Sequence, residues 1–103
     1  MRLADLAKII RSKNAGPFEL TLDVIFEDAA TYERVVSSGV INERTIAALY
    51  GINVERVLGI VPFEPAYAIK VTVVRPVPCG NVDDTDIYGA QQHAPLMELE
   101  VPD

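Results

Sequence analysis

From Phe18 to Glu27 every second residue is a large hydrophobe: Phe18, Leu20, Leu22, Val24 and Phe26 alternate with Glu19, Thr21, Asp23, Ile25 and Glu27. A period of two puts these sets on opposite faces of an extended chain, one apolar and one mostly polar. Such a strand belongs in an antiparallel sheet with one face on a core. Two further β-branched runs, residues 57–63 and 68–74, flank Glu64-Pro65-Ala66-Tyr67. Four intervening residues with a proline predict a hairpin between them. In its second arm Ile69, Val71 and Val73 are expected to face the core, with Lys70 and Thr72 turned the other way. If that arm neighbours the first strand, Asp23 and Lys70 meet across the polar face.

The remaining segments supply helices. Leu3, Leu6, Ala7 and Ile10 fall at helical spacing and predict an amphipathic helix over residues 3–12, stopped by Lys13-Asn14-Ala15-Gly16-Pro17. Asp28 is expected to cap a helix that carries Tyr32, Val35 and Val36 and ends near Gly39. Asn42 is expected to cap another, with Ile46, Leu49 and Tyr50 on one side and Gly51 at its close. Residues 53–56 read as one more helical turn. Pro76 and Pro78 end regular structure, a long polar loop follows, and alternation over residues 96–101 predicts a last strand. These elements make one α+β domain spanning 1–103: a ferredoxin-like, mostly antiparallel four-stranded sheet with helices on one face.

Composition narrows the classes of partner. Half of the 103 residues are apolar and 23% are charged, which is a globular balance. A net charge of −6 with no basic block argues against nucleic acid and against an anionic membrane surface. Any polyanionic ligand has to be met locally by a few placed cations. Cys79 is the single cysteine, so neither an intramolecular disulfide nor a thiolate metal site is available. The apolar runs fall far short of the roughly 20 residues that span a bilayer. The start of the chain lacks the pattern of a signal peptide, and the expected location is cytoplasmic.

Two polar segments are candidates for chemistry. The first is the run from Asp83 to Pro95, with Asp83, Asp84, Asp86, Tyr88, Gln91, Gln92 and His93, the only histidine, in a stretch with no helical or strand period. His93 has three open roles: a structural hydrogen-bonded group, a general acid or base oriented by Asp84 or Asp86, and a metal ligand. An EF-hand is rejected, because counting from Asp84 the twelfth position is Pro95 in place of glutamate. No metal and no cofactor are assigned. The second segment is Arg11-Ser12-Lys13-Asn14, read as a turn at a helix end. Its cations complement the helix dipole there, or the four side chains converge on a carboxylate or phosphate. Cys79 has no evident activating base nearby and is read as incidental.

Both segments also carry a resemblance. Arg11-Ser12-Lys13-Asn14-Ala15-Gly16-Pro17-Phe18, with Leu20-Thr21 and Asp23, resembles the opening motif of a family of short prokaryotic proteins catalogued as a domain of unknown function. Residues 84–95 resemble its other signature, and Leu49-Tyr50-Gly51, Pro65-Ala66 and Ile69-Lys70-Val71-Thr72 fit between them. That family is similar to the small ferredoxin-like domain found with acyclic terpene utilisation (AtuA-type) proteins. The resemblance implies an accessory subunit that contributes polar loops to a site shared with a larger AtuA-like protein, acting on acyl-CoA or carboxylic-acid substrates. Two alternatives stay open. One is a self-sufficient homo-oligomeric lyase or hydratase, with His93 as acid or base and Arg11 and Lys13 holding a carboxylate. The other is a non-catalytic oligomeric binding module.

Overall fold

The computed structural model describes residues 1–16, 18–74 and 94–102. Helix α1 (Leu3–Leu6) leads into strands β1 (Ile9–Asn14) and β2 (Glu19–Ile25). Helices α2 (Ala29–Ser38) and α3 (Glu43–Tyr50) follow, then a 3₁₀ turn at Val54–Arg56. Strands β3 (Val57–Phe63) and β4 (Ala68–Val74) come next, and helix α4 (Ala94–Met97) stands near the end. The four strands form one antiparallel sheet in the order β1-β2-β4-β3. The arrangement is α+β and consistent with a ferredoxin-like fold.

The period-two pattern does what its chemistry requires. Leu20, Leu22 and Val24 on β2 and Ile69, Val71 and Val73 on β4 are buried in one cluster. The helices bring Leu3, Tyr32, Val35, Ile46, Ala47 and Leu96 to the same cluster, so they lie on this face of the sheet. Phe26 packs edge-on to Tyr32 with ring centroids 6.3 Å apart, and Tyr67 lies 6.1 Å beyond. Tyr67 adopts a left-handed φ of 50° between β3 and β4, and its carbonyl accepts from the Phe26 N–H at 2.8 Å.

Helix ends follow the expected caps. The Asp28 carboxylate accepts from the Thr31 N–H at 2.8 Å, and the Asn42 side-chain oxygen accepts from the Thr45 N–H at 2.9 Å. Gly39 and Gly51, at φ 68° and 63°, take the left-handed conformation that ends α2 and α3.

Two expected elements differ. The helix over residues 3–12 is a single turn, and the chain straightens at Ala7 into β1. A ten-residue helix is marginal alone, Ile9 and Ile10 favour extended backbone, and six cross-strand partners on β2 decide the outcome. Arg11 to Asn14 are therefore strand residues, and the dipole explanation of their cations falls. Residues 96–101 are not a strand either. Pro95 sits comfortably in a first helical turn; that turn buries Leu96, and the chain leaving it buries Leu99. The end of the chain then closes on its beginning: Leu3 N–H donates to the Leu99 carbonyl at 2.7 Å, Val101 N–H to the Met1 carbonyl at 2.9 Å, and Arg2 bridges with Glu100.

Two outcomes test this account. Leu22→Ala, at a fully buried position of β2, is expected to cost about 2–5 kcal/mol in chemical denaturation. The Thr31 N–H holds the Asp28 carboxyl below its ordinary range. Its contribution is present above the unfolded carboxylate pKa and is lost as pH falls through the lower folded value. Asp28→Asn keeps a cap that does not titrate, so its melting temperature should fall less on acidification than that of the wild type.

Candidate functional site

Cross-strand register decides which side chains share a face. On the face away from the helices the pairings build three rows. Ile9, Ile25, Ala68 and Phe63 form the first. Arg11, Asp23, Lys70 and Val61 form the second, and Lys13, Thr21, Thr72 and Gly59 the third. None of the described helices covers this face. Ile9, Val61 and Phe63 are 41%, 57% and 56% exposed on it.

The segment Arg11-Ser12-Lys13-Asn14 is divided by this alternation. Arg11 and Lys13 stand on the face away from the described helices; Ser12 and Asn14 lie on the other, opposite Leu22 and Leu20. Ser12 is buried, and both Ser12 and Asn14 already have interaction partners. The strand therefore brings Arg11 together with Lys13, and Ser12 with Asn14, but not all four. Arg11 Nε binds the Asp23 carboxylate at 3.2 Å, with the Asp23 side chain only 14% exposed. Asp23 and Lys70 are direct register partners, as the sequence suggested. Thr21 is buried between neighbours, and its hydroxyl donates to the Lys13 carbonyl at 3.3 Å. Lys13 is left as an exposed cation suited to a carboxylate or phosphate. Asp84, Asp86, Tyr88, Gln91, Gln92 and His93 lie outside the described residues, as does Cys79.

A second feature lies on the helix side, at the β3 edge. Val35, Val36, Ile41, Ile60, Pro62 and Ile69 line an apolar cleft of about 200 Å³. It shares Ile41 and Ile60 with a wider depression of about 460 Å³, where Asn42, Glu43, Arg44 and Val54 form a charged and polar rim. Sequence reasoning missed this groove. Its only signal is that Val36 and Val54 are apolar yet lie next to polar helix ends. Deeper in, burial pushes the Tyr50 phenol up, with a backbone hydrogen bond to Leu96 working the other way.

Among the described residues no group of three His, Cys, Asp or Glu side chains is placed to hold a metal ion. No described helix is long and apolar enough to cross a membrane.

The Arg11–Asp23 pair is half in solvent, where such pairs contribute little. Arg11→Gln should therefore lower stability by less than about 1 kcal/mol. A larger loss on thermal denaturation would show that this ion pair holds β1 in the sheet.

No curated protein and no solved structure matches the chain. A family model does, over residues 3–100, nearly the whole length and including both polar segments. The chain belongs to the family described as Domain of unknown function (DUF4387).

Proposed function

We propose that this chain is a small accessory subunit that works bound to a larger AtuA-like protein, in an assembly that acts on acyl-CoA or carboxylic-acid substrates. The groove between α2, α3 and β3 carries this reading. Its apolar floor and charged rim have the anatomy of a protein interface, a dry centre surrounded by polar groups. Its size suits an aliphatic or aromatic side chain from a partner, the kind of anchor that dominates binding energy. In this reading Lys13 and residues 84–95 contribute polar groups to the shared site. Lys13 meets a substrate anion, and His93 with Asp84 or Asp86 supplies proton transfer.

The test is co-expression with an AtuA-like protein, followed by light scattering on the purified complex. A fixed stoichiometric complex is expected. Val36→Glu and Val54→Glu, at partly exposed positions of the groove, should each weaken it at least tenfold while the isolated chain keeps its melting temperature. Acyl-CoA turnover should need both proteins. Full activity from this chain alone, or a complex indifferent to both substitutions, would sink the reading.

A further inference from the structure

We propose that the larger protein enters the groove with an extended segment that adds a short strand along β3. The segment sends an apolar side chain into the cleft and sets a carboxylate on Arg44. This contact rests on the accessory-subunit reading of the same groove and gives the form of the partner.

Hydrogen-bond parity along the sheet fixes which backbone groups β3 turns outward. The Phe26 N–H donates to the Tyr67 carbonyl, and these two residues continue the β2–β4 register. Bonded pairs recur at every second position of an antiparallel ladder. Val24–Ile69, Leu22–Val71 and Leu20–Val73 are therefore the bonded pairs between β2 and β4. The backbone groups of Ala68, Lys70 and Thr72 turn toward β3, where their partners are Phe63, Val61 and Gly59. Between those partners stand Ile60 and Pro62, whose backbone groups point away from β4. Ile60 presents an N–H and a carbonyl there, and Pro62 a carbonyl alone.

Among the described residues β3 pairs only with β4. Its seven residues carry no charge, whereas β1 at the other edge carries Arg11 and Lys13, which discourage strand addition. Pro62 and the register shift between Val57 and Gly59 limit the length of an added strand. It finds the two groups of Ile60 and the carbonyl of Pro62, so side chains must supply most of the affinity.

The same residues line the groove. Ile60 and Pro62 share the helix-side face with Val71 and Ile69, their register partners. Cross-strand neighbours lie on one face, so a residue set beside Ile60 sends its side chain to that side. Open space waits there: the cleft of about 200 Å³, which Ile60 and Pro62 line together with Val36 and Ile41. One extended segment therefore satisfies the outward backbone groups and fills the cleft.

Charge gives the third feature. Glu43 and Arg44 share the rim of the wider depression, which Ile60 also lines. Glu43 lies in the first turn of α3, where the helix dipole already favours an acid. Arg44 is a cation at that same end, and Ala47 and Ala48, three and four residues on, offer it no acid. It is exposed, and none of the ion pairs among the described residues includes it. A carboxylate close to the apolar anchor meets this unmatched guanidinium. The occupant is an extended stretch with a large aliphatic or aromatic residue and an acid near it.

The test is residue-resolved amide hydrogen exchange on the full chain, alone and in the purified complex with an AtuA-like protein. In the free chain the Ile60 N–H should exchange faster than the Val61 N–H, which is paired with Lys70. In the complex Ile60 should slow at least about tenfold. Ile60→Pro removes the outward donor and no bond to β4, and should weaken the complex at least about tenfold with unchanged circular dichroism. Arg44→Glu should do the same, while Arg44→Lys keeps most of the affinity. A complex in which Ile60 exchanges as in the free chain overturns the added strand, and so does one indifferent to a folded Ile60→Pro variant. A complex indifferent to Arg44→Glu overturns the carboxylate contact. These results leave the accessory subunit standing; failure to form any complex sinks that reading and the added strand together.

Discussion

The pairing of β2 with β4 is the constraint on which the rest of the molecule depends. Seven register pairs from Glu19–Val74 to Ile25–Ala68 join segments some fifty residues apart in the chain. Each strand buries three aliphatic side chains on the helix side, and each is the inner partner of a hairpin, β1 with β2 and β3 with β4. A slip of one residue here would turn Leu20, Leu22 and Val24 out to solvent and Glu19, Thr21 and Asp23 into the core. The register is therefore held by burial on one face. It then dictates, without further choice, which residues meet on the other. The charge row and the apolar row of the face away from the described helices are by-products of the core.

The short helices show the same dependence from the other side. α1 and α4 have four residues each and would not persist in isolation. They exist because Leu3 and Leu96 fill the core and because the two ends of the chain hold each other. Leu3 N–H reaches the Leu99 carbonyl, the Met1 ammonium lies 3.3 Å from Glu100, and Arg2 lies 3.2 Å from Glu98. The ion pairs are exposed and add little; the backbone bonds and the leucines carry the closure.

Among the described residues two surfaces stand out. The helix side offers a groove with an apolar floor at the β3 edge, and the sheet side offers a flat face with ordered charge. The polar residues of β1 sit at the boundary. Lys13 stands on the face away from the described helices, where its ammonium remains in reach of solvent.

Local chemistry was legible in the chain wherever one residue type answers one local need. The caps Asp28 and Asn42, the stops Gly39 and Gly51, the alternation of β2 and the hairpin of β3 and β4 all follow from period and turn residues, because those effects act within a few residues. Even the meeting of Asp23 with Lys70 was readable once two strands were taken as neighbours. The segments 3–12 and 96–101 were not. Their apolar spacing suits either a helix or a strand, and the choice fell to β2, which needed a partner along its free edge, and to the core, which needed Leu96 and Leu99 together. For the same reason Arg11-Ser12-Lys13-Asn14 could be recognised as a polar motif in the sequence, yet only the tertiary structure separated Arg11 and Lys13 from Ser12 and Asn14. A strand sends successive side chains to opposite faces, and nothing short of its pairing tells the chain that it is a strand.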